Sequence, residues 1–202
     1  TLYDLTDLMN EDNYKDQFLD ASITQATYKD KIWAVPIENV SPALLYYNKD
    51  MFKEYSLTPP TTLDEFEQVC DKLLEKDVIP IALANKTKWT GSIIYGYILD
   101  RIAGAQAFED AYNGERSFTE EDYIKAAEKF QEWAQKGYFG DDFNALDYDS
   151  GQDRNLLYND EAGMYIMGGW FLFTAQGEAP DYVEKIGILQ FPADTNGKGS
   201  AA

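Results

Sequence analysis

The chain has 202 residues, enough to bury one good hydrophobic core and a second small one. Its 17 basic and 36 acidic residues give a formal charge of −19, which disfavours nucleic acid and anionic lipid surfaces as partners. A hydrophobic share of 45% excludes a disordered chain, and 15 Tyr with 4 Trp exceed ordinary core needs; rings with one polar edge suit a wet cleft.

Leu2, Leu5, Leu8 and Met9 open the chain in a short amphipathic pattern, followed by a polar connection that carries Tyr14, Phe18, Leu19 and Ile23. Residues 31–35 alternate apolar and polar side chains and end on Pro36, which predicts a short strand leaving its sheet there. Leu44, Leu45, Tyr46 and Tyr47 form the continuous apolar run of a strand covered on both faces. An extended segment rather than a tight turn joins these two strands, which predicts a crossing between two sheets. Asn48, Lys49 and Asp50 open a short helix, and Pro59 and Pro60 halt the chain before another. Thr62 and Glu65 have capping-box spacing, in which the hydroxyl takes the amide of the third helical residue and the carboxylate reaches back to the cap amide. Leu63, Phe66, Val69, Cys70, Leu73 and Leu74 then share one helical face. Cys70 is the sole cysteine, so it has no internal disulfide partner and reads as core. Residues 78–82 read as a short buried strand, 86–89 as a loop, and Thr90 as the cap of a helix with Ile94, Tyr95, Ile98, Leu99 and Ile102 on one face. Thr119 reads as the cap of the next, with Asp122 at its third position, Tyr123, Ile124, Ala127, Phe130, Trp133 and Ala134 as its apolar side, and Gly137 as its stop. A helix over 152–159 and a strand over 163–167 complete an alternation of the α/β class. No apolar run is long enough to span a membrane.

Histidine is absent, which removes Ser-His-Asp and Cys-His chemistry and the commonest metal ligand together. Carboxylates are abundant enough for two to flank a glycosidic bond, but sequence does not set the separation such a pair needs. The pattern Asp147-x-Asp149-x-Gly151-x-Asp153 suggests a calcium loop; its Gly comes one position early and Tyr158 stands where the bidentate Glu belongs. A solvated acidic loop capping the next helix is the simpler reading. Gly168-Gly169 lacks the Lys of a phosphate loop. No cofactor and no bound metal are therefore expected. Trp170 follows those glycines at a strand end and begins a helix, where ligands of open α/β sheets sit, and Gly169 lets the backbone approach closely. Trp89 stands among Asn85, Lys86, Thr87 and Lys88, where a large ring needs a cover. Core packing is the alternative for both, and Trp33 and Trp133 read as strand and helix core.

Ala34-Val35-Pro36, Leu45-Tyr46-Tyr47-Asn48-Lys49-Asp50-Met51-Phe52 and Pro60-Thr61-Thr62-Leu63-Asp64-Glu65-Phe66 come in a fixed order. Ala162-Gly163-Met164-Tyr165-Ile166-Met167-Gly168-Gly169-Trp170 and Ile186-Gly187-Ile188-Leu189-Gln190-Phe191-Pro192 follow at the expected distance. This order resembles the family 1 extracellular solute-binding proteins, the sugar-binding subunits of bacterial ABC importers, which include the maltodextrin-binding proteins. The resemblance implies an α/β fold of the periplasmic-binding-protein-like type II, mostly the C-terminal lobe with a remnant of the N-terminal lobe. Residues 1–35 would be that remnant, 36–43 the hinge or crossing segment, and 44–202 an incomplete C-terminal lobe. The full protein would be about twice this long, which makes the chain an internal piece. The implied function is capture of a neutral oligosaccharide between lobes by hinge closure and delivery to a membrane permease, with no bond made or broken. A monomer outside the cell or in the periplasm, lipid-anchored at the cell surface, is the implied setting. By the same resemblance Trp170 stacks on a sugar ring, Trp89 falls where maltodextrin-binding relatives carry a stacking aromatic, and Glu38, Asn39 and Ser41 line the cleft floor. The spacing from Pro36 to Tyr47 is one residue longer than in those relatives, which leaves the contact residue of that segment open. A receptor for polyamines or other cations would suit the charge and the rings through cation–π attraction. A carbohydrate-processing enzyme would need paired carboxylates in the same aromatic cleft.

Overall fold

Residues 2–37 and 41–199 are described by the computed structural model, and the chain divides into two units, Thr1–Pro42 and Ala43–Ala202. In the first, α1 (Thr6–Asn10) leads through 3-10 turns over Glu11–Gln17 to α2 (Asp20–Ala26) and an antiparallel pair, β1 (Thr27–Tyr28) and β2 (Lys31–Ile32). Lys29 and Asp30 both take positive φ, which matches the right-handed twist of a two-residue hairpin. Met9 and Ile32 are buried, whereas Leu2 and Leu8 are exposed. The strand expected over 31–35 stops at Ile32, because β1 offers only two residues to pair with. Trp33 is accordingly no strand-core residue: it is half-buried, and its indole N–H donates to the Tyr28 carbonyl.

The second unit begins with β3 (Ala43–Asn48), which pairs in a different sheet from β2. Then come α3 (Lys49–Glu54), α4 (Leu63–Leu74), β4 (Ile79–Ala82), α5 (Trp89–Ala103), α6 (Ala107–Tyr112), α7 (Glu121–Gln135) and α8 (Gln152–Tyr158). β5 (Ala162–Gly168), α9 (Trp170–Glu178), α10 (Pro180–Val183) and β6 (Ile186–Leu189) follow. The sheet order is β4-β5-β3-β6, with β4 and β5 parallel and the other pairs antiparallel. Alternate residues feed two cores. Leu45, Met164 and Ile166 pack with Phe66, Leu73, Ile98 and Trp133 on one face, while Tyr46, Tyr165 and Met167 pack with Phe171 and Ala175 on the other. Helices on both faces explain why β5 is buried at every position.

Two helix starts, those of α3 and α4, are set by side chains already visible in the sequence. Asn48 accepts from the amides of Asp50 and Met51, and Thr62 and Glu65 form the reciprocal capping box. Gly137, at φ +83°, ends α7 with its amide on the Ala134 carbonyl and the Tyr138 amide on that of Trp133. Two expected caps are corrected. Lys88, in a left-handed conformation, precedes α5, and Thr90 lies inside its first turn with its hydroxyl donating to the Ala84 carbonyl at 2.6 Å. Glu120 precedes α7, because its carboxylate already takes the Ser117 amide and moves the helix start past Thr119. No described helix is long and apolar enough to cross a membrane.

One acidic side chain ties α4 to α7. Glu67 accepts from the buried Trp133 indole at 3.0 Å, from Lys129 at 3.0 Å and from Lys136 at 2.7 Å. Burial raises its pKa, but these hydrogen bonds outweigh burial and hold it at about 2. The folded state therefore binds this proton more weakly than the unfolded chain, so the stabilisation is complete above pH 4.5 and is lost as pH falls toward 2. Glu67→Gln is expected to lower unfolding free energy by about 1–3 kcal/mol at neutral pH. In urea titrations at several pH values its deficit relative to the wild type should shrink across that acidic window; a pH-independent deficit would contradict the assignment.

Candidate functional site

Because β4 and β5 are parallel, their carboxyl ends, Ala82 and Gly168, lie at the same edge of the sheet. A helix starts beyond each, and a tryptophan occupies its first position: Trp89 in α5 and Trp170 in α9. Trp89 is thus a helical residue rather than the loop residue its polar neighbours suggest. The two indoles meet with centroids 6.3 Å apart and planes inclined by 46°. Tyr148 completes the cluster, edge-on to Trp89 at 4.7 Å, with its hydroxyl oxygen accepting the Trp170 indole N–H at 2.8 Å. Trp89 is 36% and Trp170 40% exposed, so neither ring is enclosed by the core, whereas Trp133 is fully buried.

Local chemistry fixes these positions. The segment entering α5 is zipped to the acidic loop that carries Tyr148. The Asn85 amide N–H bonds the Phe143 carbonyl, that of Lys86 bonds Leu146, and the Lys86 ammonium reaches Asp147 at 2.7 Å. The Asn85 side chain donates to Asn144 at 2.9 Å and accepts from the Gly91 amide at 3.2 Å. A methyl group on Gly91 would stand 2.5 Å from that Asn85 oxygen, so the helix entry requires glycine. Beside β5 the Trp170 ring lies over Gly168, where a β-carbon would come within 2.1–2.4 Å of the indole. The glycine that admits the ring is therefore Gly168. Gly169 has ordinary helical angles and caps α9.

Ser41 is exposed and belongs to the first unit. Glu38 and Asn39 lie outside the described residues. In the acidic loop, Asp147 pairs with Lys86 and accepts the Asp149 amide, while Asp153 is fully buried and accepts the Tyr165 hydroxyl at 2.6 Å. The loop is thus only partly solvated, and the carboxylates of the calcium-like pattern are committed to different partners. Burial raises the Asp153 pKa against the Tyr165 hydrogen bond and the Arg154 amide. Among the described residues no group of three or more His, Cys, Asp or Glu could hold a metal ion. Sequence reasoning missed Tyr148, although the signal that marked Trp89, a large ring in polar surroundings, is equally present in Asp147-Tyr148-Asp149. The assembled surface offers partly open aromatic rings beside amide, ammonium and carboxylate groups, suited to a ligand with both apolar and hydroxylated faces.

A family model described as bacterial extracellular solute-binding protein matches residues 1–202. The chain is 31% identical over 172 residues to an uncharacterised ABC-transporter extracellular-binding protein of Pyrococcus horikoshii, covering 82% of this chain and 37% of that protein. It is 30% identical over 176 residues to a multiple sugar-binding protein of Streptococcus mutans, covering 84% and 40% respectively. A solved structure from work on xylan utilisation by Caldanaerobius polysaccharolyticus superposes with a TM-score of 0.89 at 30% identity, over 99% of this chain and 50% of its own. The chain spans half or less of the length of each of these.

Gly168→Ala is expected to push the Trp170 indole off its seat and away from the Tyr148 hydroxyl. Far-UV circular dichroism should stay unchanged while the near-UV tryptophan bands weaken and the emission shifts to the red; an unaltered indole spectrum would show that the ring does not depend on this glycine.

Proposed function

For a chain that belongs to the bacterial extracellular solute-binding proteins, we propose that residues 44–202 supply most of the C-terminal lobe of an ABC-importer receptor for neutral carbohydrate. Residues 1–35 are then a remnant of the N-terminal lobe and 36–43 the connection that hinges them. The complete receptor captures its ligand between lobes outside the membrane, as a monomer anchored by lipid, and passes it to a permease. Its work is a difference in affinity between open and closed states, with no covalent step. The observation that carries this reading is the meeting of Trp89, Trp170 and Tyr148 beyond the carboxyl ends of two parallel strands. The apolar face of a pyranose buries against indole, while its hydroxyls find partners on the polar rim. Hinge closure would exclude water and strengthen those polar contacts.

Ser41, with Glu38 and Asn39, is proposed to contribute hydroxyl-binding groups from the connecting segment, and Gly169 to keep the backbone beside Trp170 open to the ligand. A polyamine would suit the net charge, but the rim argues against it. Lys86 and Lys88 both stand beside the rings, bonded to Asp147 and Asn144, and would repel a second cation. A carbohydrate-processing enzyme fits less well with a family whose members are transport receptors.

Calorimetry on the full-length protein with neutral oligosaccharides and with spermidine tests the proposal. Saccharide binding is expected, and Trp170→Ala and Trp89→Ala should each weaken it by about 10- to 100-fold, the range of a buried aromatic anchor. Spermidine binding in place of saccharide, or undiminished affinity in the Trp170 variant, would refute it.

A further inference from the structure

Tyr148 of the aromatic cluster rests on a charged group that is closed to solvent. Arg154, in α8, is buried, and its guanidinium grips the Glu178 carboxylate with two hydrogen bonds of 2.8 and 2.9 Å. A third donor reaches the Tyr148 carbonyl at 3.1 Å, and the guanidinium carbon stands 5.1 Å from the Tyr148 ring centre. Gly151, at φ +72°, bends the chain so tightly around this group that a β-carbon there would lie 3.0 Å from a guanidinium nitrogen. Glu178 is held from a second side by the Tyr158 hydroxyl at 3.0 Å. The consequence lies in where these partners sit. Glu178 is the last residue of α9 and Trp170 is the first, and Tyr148 accepts the indole N–H of that first residue. One guanidinium thus ties the far end of α9 to the residue that orients the ring at its near end.

We propose that Arg154 is a positioning residue for ligand recognition, holding Tyr148, and through it the Trp170 indole, in the binding geometry before ligand arrives. This rests on the carbohydrate-binding reading above. Arginine suits the role because its planar fork serves the carboxylate bidentately while a further N–H reaches the carbonyl; a lysine ammonium is a point charge and cannot match both geometries. Holding the platform in advance lowers the ordering cost that binding would otherwise carry.

The test uses the full-length protein and compares Arg154→Lys, Tyr148→Ala and the double variant, with Thr62→Ala as a variant that loses a distant helix cap. Arg154→Lys is expected to weaken oligosaccharide affinity roughly tenfold and to broaden the near-UV indole signal of the unliganded, folded protein. In the Tyr148→Ala background the same change should have no further effect on affinity. Thr62→Ala should lower stability yet leave affinity and the indole spectrum as in the wild type. If Arg154→Lys folds poorly, Glu178→Gln, which keeps the arginine, should move spectrum and affinity in the same direction. Arg154 would be a purely structural residue if its variant behaved like Thr62→Ala, or if it lost equal affinity with and without the Tyr148 side chain. Absence of saccharide binding in the wild type would instead remove the functional reading, while the ligand-free indole spectrum would still decide whether Arg154 positions the ring.

Discussion

The parallel pairing of β4 with β5 is the constraint on which the rest of the second unit depends. Ile79 lies opposite Ala162 and Ile81 opposite Met164, so both strands deliver their carboxyl ends to one edge. Any helix that follows either strand must begin there, and each begins with tryptophan. An antiparallel pairing would send the two helix starts to opposite edges and separate indoles that stand 81 positions apart in sequence. The pairing is secured from both faces: Met164 and Ile166 bury in one core and Tyr165 and Met167 in the other, and a one-residue slip would exchange every one of them.

Charge follows the same division of labour. With −19 overall, carboxylates far outnumber the cations that could pair with them, yet the half-buried Glu67, the buried Asp153 and the exposed Glu178 are each paired with donors. Glu67 joins α4 to α7, Asp153 joins α8 to β5, and Glu178 joins α9 to α8. Taking a charge out of water offsets much of what its partners contribute to stability, but a carboxylate held by several directed donors permits few alternative arrangements. In this fold they fix which elements are neighbours, and the Arg154–Glu178 pair does so beside the aromatic cluster.

Periodicity and capping chemistry made much of this legible in the sequence. The central strand, the box at Thr62 and Glu65, the Gly137 stop and the buried Cys70 are all local decisions that the structure repeats. What escaped was decided by competing partners, some a few residues away and some distant in the chain. Thr90 looks like a cap until the Ala84 carbonyl claims its hydroxyl, and Thr119 until Glu120 takes the Ser117 amide. Trp33 reads as strand only if a partner strand is long enough. The tryptophans at positions 89 and 170 stand out by composition and context, whereas Tyr148 acquires its place only when Asn85 and Lys86 zip to its loop. The same holds for glycine: two neighbours in a strand end look interchangeable, and only the packed ring distinguishes Gly168 from Gly169.

Net charge also misleads at the proposed site itself. Both α5 and α9 direct their amino ends toward the aromatic cluster, and an α-helix carries a partial positive charge at that end. Lys86 and Lys88 add two ammonium groups; Asp147 compensates the first, while the second donates to the uncharged Asn144 side-chain oxygen. These groups leave the immediate surroundings of the rings without an excess of negative charge, within a molecule that is strongly acidic as a whole. A cation would meet the helix ends and ammonium groups with no local excess of carboxylate to draw it in. An anion would have to approach a molecule of strongly negative net charge. The proposed neutral polyol would incur neither penalty, since each hydroxyl could accept from one rim group and donate to another with its carbon face on the rings.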